Sequence, residues 1–178
     1  AIEGVCKGEL ADHNVAPIVN YGVMGVLQSM LGDGVNIVSA PHLAEERGMQ
    51  VTSTSSHTPE GGFTDLIVLT LVTDAAEMAV GGTVFGREHP RLVRIGRFYT
   101  EVLPEGELLL VFAKDKPGAI GRVGETLGRA GINIARMTFG REEAGGNALL
   151  ALNLDNPCDQ DTLEKILELD IVEQAVLV

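Results

Sequence analysis

Residues 108–139 constrain the chain most. Six consecutive apolar residues, Leu108-Leu109-Leu110-Val111-Phe112-Ala113, run straight into Lys114-Asp115-Lys116-Pro117-Gly118. An apolar run of that length, closed by turn residues, predicts a buried strand. Pro117 and Gly118 then open a helix over about 118–130, with Ile120, Val123, Leu127 and Ala130 as its apolar stripe. Gly124 and Gly128 lie four apart beside that stripe and are expected to let the helix pack closely on a sheet. Gly131 suits the residue just past a helix end. A strand follows over 132–139, then a turn at Arg141–Gly146, then a strand over 147–154 that alternates in Ala148, Leu150, Leu152 and Leu154. Pro157 and Asp159 open a second helix over about 159–168, with Leu163, Ile166 and Leu167 inward, and 171–178 closes as a strand. The order is βαββαβ, the split-βαβ or ferredoxin-like arrangement, in which the strand holding Asn133 is expected to lie beside the first.

The preceding part reads as mixed α/β. Strand 2–10 leads to a helix at about 14–31, with Val15, Ile18, Val19, Val26, Leu27 and Met30 at helical spacing. A short helix at about 40–47 is entered through Ala40-Pro41. Strand 49–55 leads into a polar loop, and strands 65–73 and 76–85 form a hairpin around Thr73-Asp74-Ala75. Residues 97–107 break the pattern, and Pro104-Glu105-Gly106 is a turn signal. This places a domain boundary near residue 103, giving domains 1–103 and 104–178.

Composition now excludes several classes. The chain of 178 residues carries 13 Lys and Arg against 25 Asp and Glu, a net charge of −12. That balance lacks the basic footprint of a nucleic-acid binder. The apolar runs are short and broken, so no segment is expected to span a membrane. Cys6 and Cys158 stand at opposite ends and away from the four histidines. Unpaired thiols in a cytoplasmic protein are expected, with no disulfide framework and no metal site. The chain has no initiator Met and opens directly into a strand-like run, which suggests a piece of something longer.

Motifs for catalysis are absent: no GxGxxG, Walker A, GxSxG or HExxH occurs. No catalytic residue is therefore assigned. Ser53-Thr54-Ser55-Ser56-His57-Thr58 is read as a solvated loop, because Ser and Thr favour turns and the polar stretch continues through Gly62. Arg87, His89, Arg91, Arg94 and Arg97 form a basic island with only Glu88 opposed to it. It offers either an anion site for a phosphorylated or carboxylated metabolite, or a set of surface ion pairs. Asp115, Lys116, Pro117 and Gly118, with Asn133, form the leading site. Free N–H groups at a helix start favour a carboxylate, Asp115 can accept from an ammonium, and the Asn133 amide adds a further group. Such a set suits an α-amino acid. The alternative is that Asp115 caps the helix and Asn133 satisfies a loop.

Residues 108–178, with KDKPGAIGRVGETLGRAGINIARMTFGR at their centre, resemble an ACT domain. That family of βαββαβ modules binds amino acids where two copies pair side by side. The wider chain resembles the C-terminal regulatory region of the D-3-phosphoglycerate dehydrogenase family. VNIVSAPHLAEERGMQV is similar to its intervening domain, and GGTVFGREHPRLVRIGRFYTEVLPEGELLLVF to the passage into its ACT domain. The resemblance implies an enzyme of serine synthesis that oxidises 3-phosphoglycerate with NAD, inhibited by L-serine at paired ACT domains, with the chain self-associating as a dimer or tetramer. It implies that Asp115 and Asn133 hold the serine. Many serine-sensitive members carry His or Tyr two residues before that Asp, where this chain has Ala113, one donor fewer. It also implies an intervening-domain anion site for a phosphorylated hydroxy acid, at Arg91 with Arg94 or Arg97. The NAD-binding and catalytic half has no signature here, so this chain is expected to hold no cofactor. Two other readings stand beside this one. The β part of an iron–sulfur L-serine dehydratase carries a run like Ser55-Ser56-His57-Thr58, but at its opening, and Cys6 and Cys158 cannot supply a cluster. A ligand-free oligomerisation module would cover exposed strand edges.

Overall fold

The structure is a computed structural model that describes residues 1–58, 60–86 and 88–178. By packing, the chain divides into two compact units, Ala1–Pro90 and Arg91–Val178. Among the described residues no helix is long and apolar enough to cross a membrane.

In the first unit, β1 (Ile2–Gly8) pairs in parallel with β2 (Val51–Ser56) and antiparallel with β3 (Asp65–Val72). β4 (Glu77–Phe85) pairs antiparallel with β3, giving the order β2-β1-β3-β4. The β3–β4 hairpin turns where Thr73 Oγ1 donates to Ala76 O at 2.9 Å and accepts from Ala76 N–H at 3.0 Å. Two helices, α1 (Ala16–Leu31) and α2 (Ala40–Glu46), connect β1 to β2, as a parallel pair requires. Val19, Val23 and Leu27, spaced one turn apart on α1, are buried with Ile2, Val35, Ala40 and Ala44. Met30, expected on this stripe, lies outside it and is 53% exposed. The strand expected over 49–55 is β2, and its ladder on β1 from Ile2 to Lys7 holds Ser53–Ser56 in the strand rather than in the solvated loop also read there. β2 is half-buried only at its two ends, which is why its polar middle also reads as a solvated stretch.

The second unit contains β7 (Glu107–Lys114), α3 (Ala119–Arg129), β8 (Ile134–Arg141), β9 (Asn147–Leu154), α4 (Gln160–Leu167) and β10 (Val172–Leu177). All pairings are antiparallel and the order is β10-β7-β9-β8. The fold is mixed α/β followed by this βαββαβ unit. Both helices cover one sheet face, with Leu109, Val111, Val123, Leu127, Leu150 and Ile166 at the centre of that core. Asp159 caps α4 by accepting from Thr162 N–H at 2.8 Å.

Four readings of this unit need correction. The buried face of α3 is Ala119, Val123 and Leu127; Ile120 is 41% exposed. Leu167 on α4 is likewise outside, at 42%. A Cβ built on Gly124 or Gly128 would meet nothing within 4 Å, so neither glycine serves close helix–sheet packing. Residues 98–102, expected as a break, form strand β6 (Phe98–Val102), which pairs with β5 (His89–Ile95), the strand in which the division into units falls. Ile95, Phe98 and Val102 pack on Leu108, Leu110, Leu149 and Ala151, the sheet face away from the helices. Thr138 Oγ1 donates to Glu101 O at 3.1 Å, tying β8 to β6. The second face is thus also covered. That explains why β9 is buried throughout 148–154 instead of at alternate residues.

Candidate functional site

β7 ends at Lys114, and the chain turns through Asp115–Gly118 into α3. Gly118 has φ of +89°, a left-handed conformation that suits glycine, and it is the N-terminal cap position of the helix. No side chain caps that end, so Asp115 does not do so. Instead its carboxylate turns toward the β8–β9 turn. Oδ2 accepts from Gly145 N–H at 3.1 Å and from Arg141 Nη1 at 3.1 Å. The Asp115 backbone N–H donates to Gly146 O at 2.9 Å. The Gly145 N–H and the Arg141 guanidinium hold the Asp115 carboxyl below the usual carboxylate range. Asp115 is therefore an anion at neutral pH. Its Oδ1 has no partner among the described residues.

Beside this carboxylate lies a cleft of about 410 Å³. Its floor and rim are Asp115–Gly118 and the first turn of α3, with Ile120 and Phe139 as apolar walls. An anionic acceptor, an uncapped helix start and an apolar wall within one cleft can receive a small molecule that carries a cation, an anion and a short side chain.

Asn133 is not in this cleft. Its Nδ2 donates to Asp155 Oδ2 at 2.5 Å, and its carbonyl accepts from Asp155 N–H at 3.0 Å. The expectation that its strand lies beside the first is wrong, since β9 runs between β7 and β8. β7 and β8 therefore point the same way. Asp115 follows the end of one and Asn133 precedes the start of the other. The eight residues of β8 separate them, roughly 25 Å at about 3.3 Å per residue.

Within the basic island, Arg94 and Arg97 turn to different partners. Arg94 Nε donates to Gly96 O at 2.9 Å, while Arg97 Nη1 lies 3.3 Å from Glu142 Oε1. Arg91 is half-buried on β5 and His89 is exposed at its start. Arg87 lies outside the described residues. His57 Nε2 sits 2.9 Å from Asp12 Oδ1, a solvent-exposed pair. Cys6 and Cys158 are buried free thiols, and burial pushes both upward in pKa.

Sequence reasoning missed Arg141 and Phe139. A signal existed. In the order β10-β7-β9-β8, the end of β8 lies level with the end of β7, so residues 139–141 must face the Asp115 loop across β9.

The second unit, by its strand order and its cleft at the first strand-to-helix turn, defines an ACT-type βαββαβ domain behind a separate mixed α/β unit. Residues 1–96 match the family model described as the D-3-phosphoglycerate dehydrogenase intervening domain, and residues 108–170 match the ACT domain. A protein named D-3-phosphoglycerate dehydrogenase from Methanocaldococcus jannaschii is 33% identical over 99% of this chain and 33% of its own length. One from Archaeoglobus fulgidus is 32% identical over 99% of this chain and 34% of its length, and one from Synechocystis sp. is 31% identical over 98% and 32%. The chain belongs to the D-3-phosphoglycerate dehydrogenase family, with that family's intervening domain followed by an ACT domain. It spans about a third of the length of the curated relatives it matches.

Proposed function

We propose that the chain is the effector-sensing part of a D-3-phosphoglycerate dehydrogenase, which oxidises 3-phosphoglycerate with NAD in serine synthesis. The effector is an α-amino acid, L-serine by family membership. We place the domain boundary near residue 103, a reading supported by the matched spans, which end at 96 and begin at 108. NAD belongs to another part of such an enzyme, since this chain has no GxGxxG and its residues do not fit a dinucleotide.

One observation carries the reading of the site. Asp115 and Asn133 stand at opposite ends of one chain's sheet. A two-fold pairing of two copies along their β8 edges lays one copy's Asp115 end against the other's Asn133 end. Each of the two equivalent sites then takes Asp115 from one copy and Asn133 from its partner. Asp115 accepts from the ammonium, the cleft beside it receives the carboxylate, and Asn133 closes the site. Effector binding then stabilises the paired state, which is what an allosteric signal requires.

Calorimetric titration with L-serine tests this. Asp115→Ala and Asn133→Ala are each expected to abolish binding as separate proteins. Mixed and re-annealed, they are expected to regain one site per hybrid dimer, because one of the two sites in the hybrid keeps both residues. No heat and no thermal shift with millimolar L-serine would remove the serine assignment, and no rescue on mixing would remove the shared site.

A further inference from the structure

Arg141, Ala148 and Ala113 occupy one row across the sheet: Arg141 pairs with Ala148 on β9, and Ala148 pairs with Ala113 on β7. Both alanines are buried and both are short. Nothing larger than a methyl group rises from β9 or β7 at this level. The Arg141 side chain can therefore lie over the row and reach the loop beyond β7, where its Nη1 meets Asp115 Oδ2. The guanidinium is 54% exposed, while the Asp115 side chain is 20% exposed. Arg141 is thus the solvent-facing partner of a carboxylate that is also anchored by the Gly145 N–H. Of the two contacts, the backbone one is built into the β8–β9 turn, and the guanidinium one sits at the end of a long, exposed side chain.

We propose that Arg141 determines the specificity of the effector site by exchanging partners. This rests on the reading that Asp115 receives the effector's ammonium. In the empty site Arg141 occupies the carboxylate. An α-amino acid brings both charges: its ammonium replaces the guanidinium at Asp115, and its carboxylate pairs with the displaced guanidinium. Charge is conserved pair for pair, so no ion is left without a counterpart. An ammonium at the open Oδ1 stands beside the guanidinium held at Oδ2 and the two cations repel, so a ligand with an ammonium but no carboxylate drives Arg141 off and leaves it unpaired. A ligand with a carboxylate but no ammonium finds Arg141 already engaged. The exchange makes the site selective for the zwitterion, since a site rejects most strongly the analogue that leaves its own polar groups unpaired. The bidentate fork of arginine suits a carboxylate, which a lysine at this position would match less well.

The test is a comparison of L-serine with ethanolamine, the same molecule without its carboxylate, titrated into the full chain. The unmodified chain is expected to bind L-serine and to reject ethanolamine. In Arg141→Ala, L-serine is expected to weaken by about tenfold or more, the size of one charge-assisted pair. Ethanolamine is expected to gain, because Asp115 is no longer occupied. The preference for serine therefore collapses from both sides, a result that general loss of structure cannot give. Arg141→Lys is expected to restore part of the preference and guards against a variant that fails to fold. An unchanged serine-to-ethanolamine ratio in Arg141→Ala, with Asp115→Ala abolishing serine binding, would overturn the exchange and leave the proposed site standing. Failure of the unmodified chain to bind L-serine or any other α-amino acid would overturn both.

Discussion

A Cβ built on Gly4 would lie 2.2 Å from Val19 Cγ2, and one built on Gly22 would lie 2.3 Å from Leu69 Cδ1. These two glycines let α1 approach β1 and β3 closely, and the neighbours they spare belong to the first unit's core. Gly124 on α3 is the opposite case, since an added methyl there would meet nothing within 4 Å and the position lies inside a helix. There the glycine only adds conformational freedom to the unfolded chain, which in a helix costs about 0.5–1 kcal/mol relative to alanine. Gly124→Ala is therefore expected to raise stability by about that amount. Gly22→Ala is expected to lower it by about 1–3 kcal/mol, the usual cost of overpacking. Thermal or urea melts of the two variants read the sign directly. Sequence alone did not separate these cases. Gly124 stands four residues from Gly128, which suggests a packing groove, whereas Gly22 sits among Tyr21, Val23 and Met24 with no partner glycine four residues away. What decides is the element that crosses each glycine, and that is a tertiary fact.

The β5–β6 hairpin shows the same limit at the scale of an element. Arg97-Phe98-Tyr99-Thr100-Glu101-Val102 carries a strand's alternation of inward and outward residues, yet it is short and lies between an arginine-rich stretch and a proline turn. Its inward residues are buried only because the face of Leu108, Leu110, Leu149 and Ala151 waits for them. The apolar run of β7 recorded that need, since a sheet covered on both faces reads as continuous rather than alternating hydrophobicity, whereas the reading of β9 as an alternating strand missed it. The helices, the caps at Gly131 and Asp159, and the β3–β4 turn were legible because their signals are local. The cover on the second face was not, because its partner is some tens of residues away. Phe98 is 5% exposed and stacks at a tilt on Phe112, with ring centroids 6.0 Å apart. Phe98→Ala is expected to destabilise the second unit by about 3 kcal/mol, the usual loss for emptying a buried aromatic site. Chemical denaturation checks this. A loss under about 1 kcal/mol would mean that the hairpin does not hold that face.

At the scale of the whole molecule, the candidate site depends on strand order more than on any residue. Asp115 and Asn133 were both visible as chemistry, because a carboxylate before a helix start and an amide after a helix end are local features. Their separation was not visible, because it follows from β9 lying between β7 and β8. A single chain holds the two halves of the proposed site at opposite ends of an edge strand, so in the proposed pairing ligand binding and self-association are one equilibrium. β8 is that edge, and Met137 stands on it 43% exposed, between the Asp115 end and the Asn133 end. Each copy carries a net charge of −12, which opposes association at low ionic strength. Raising the salt concentration is therefore expected to shift the chain toward the dimer, and L-serine to shift it further. In the proposed pairing, Met137→Asp places an added negative charge on the shared edge, near the same residue of the second copy. It removes no buried contact from the core clusters. The expected result in sedimentation velocity is a monomer at salt concentrations where the unmodified chain is dimeric, with an unchanged far-ultraviolet circular dichroism spectrum and no serine binding. A Met137→Asp chain that stays monomeric yet binds L-serine as tightly as before would place the whole site within one copy, and the separation of Asp115 from Asn133 would then exclude Asn133 from it.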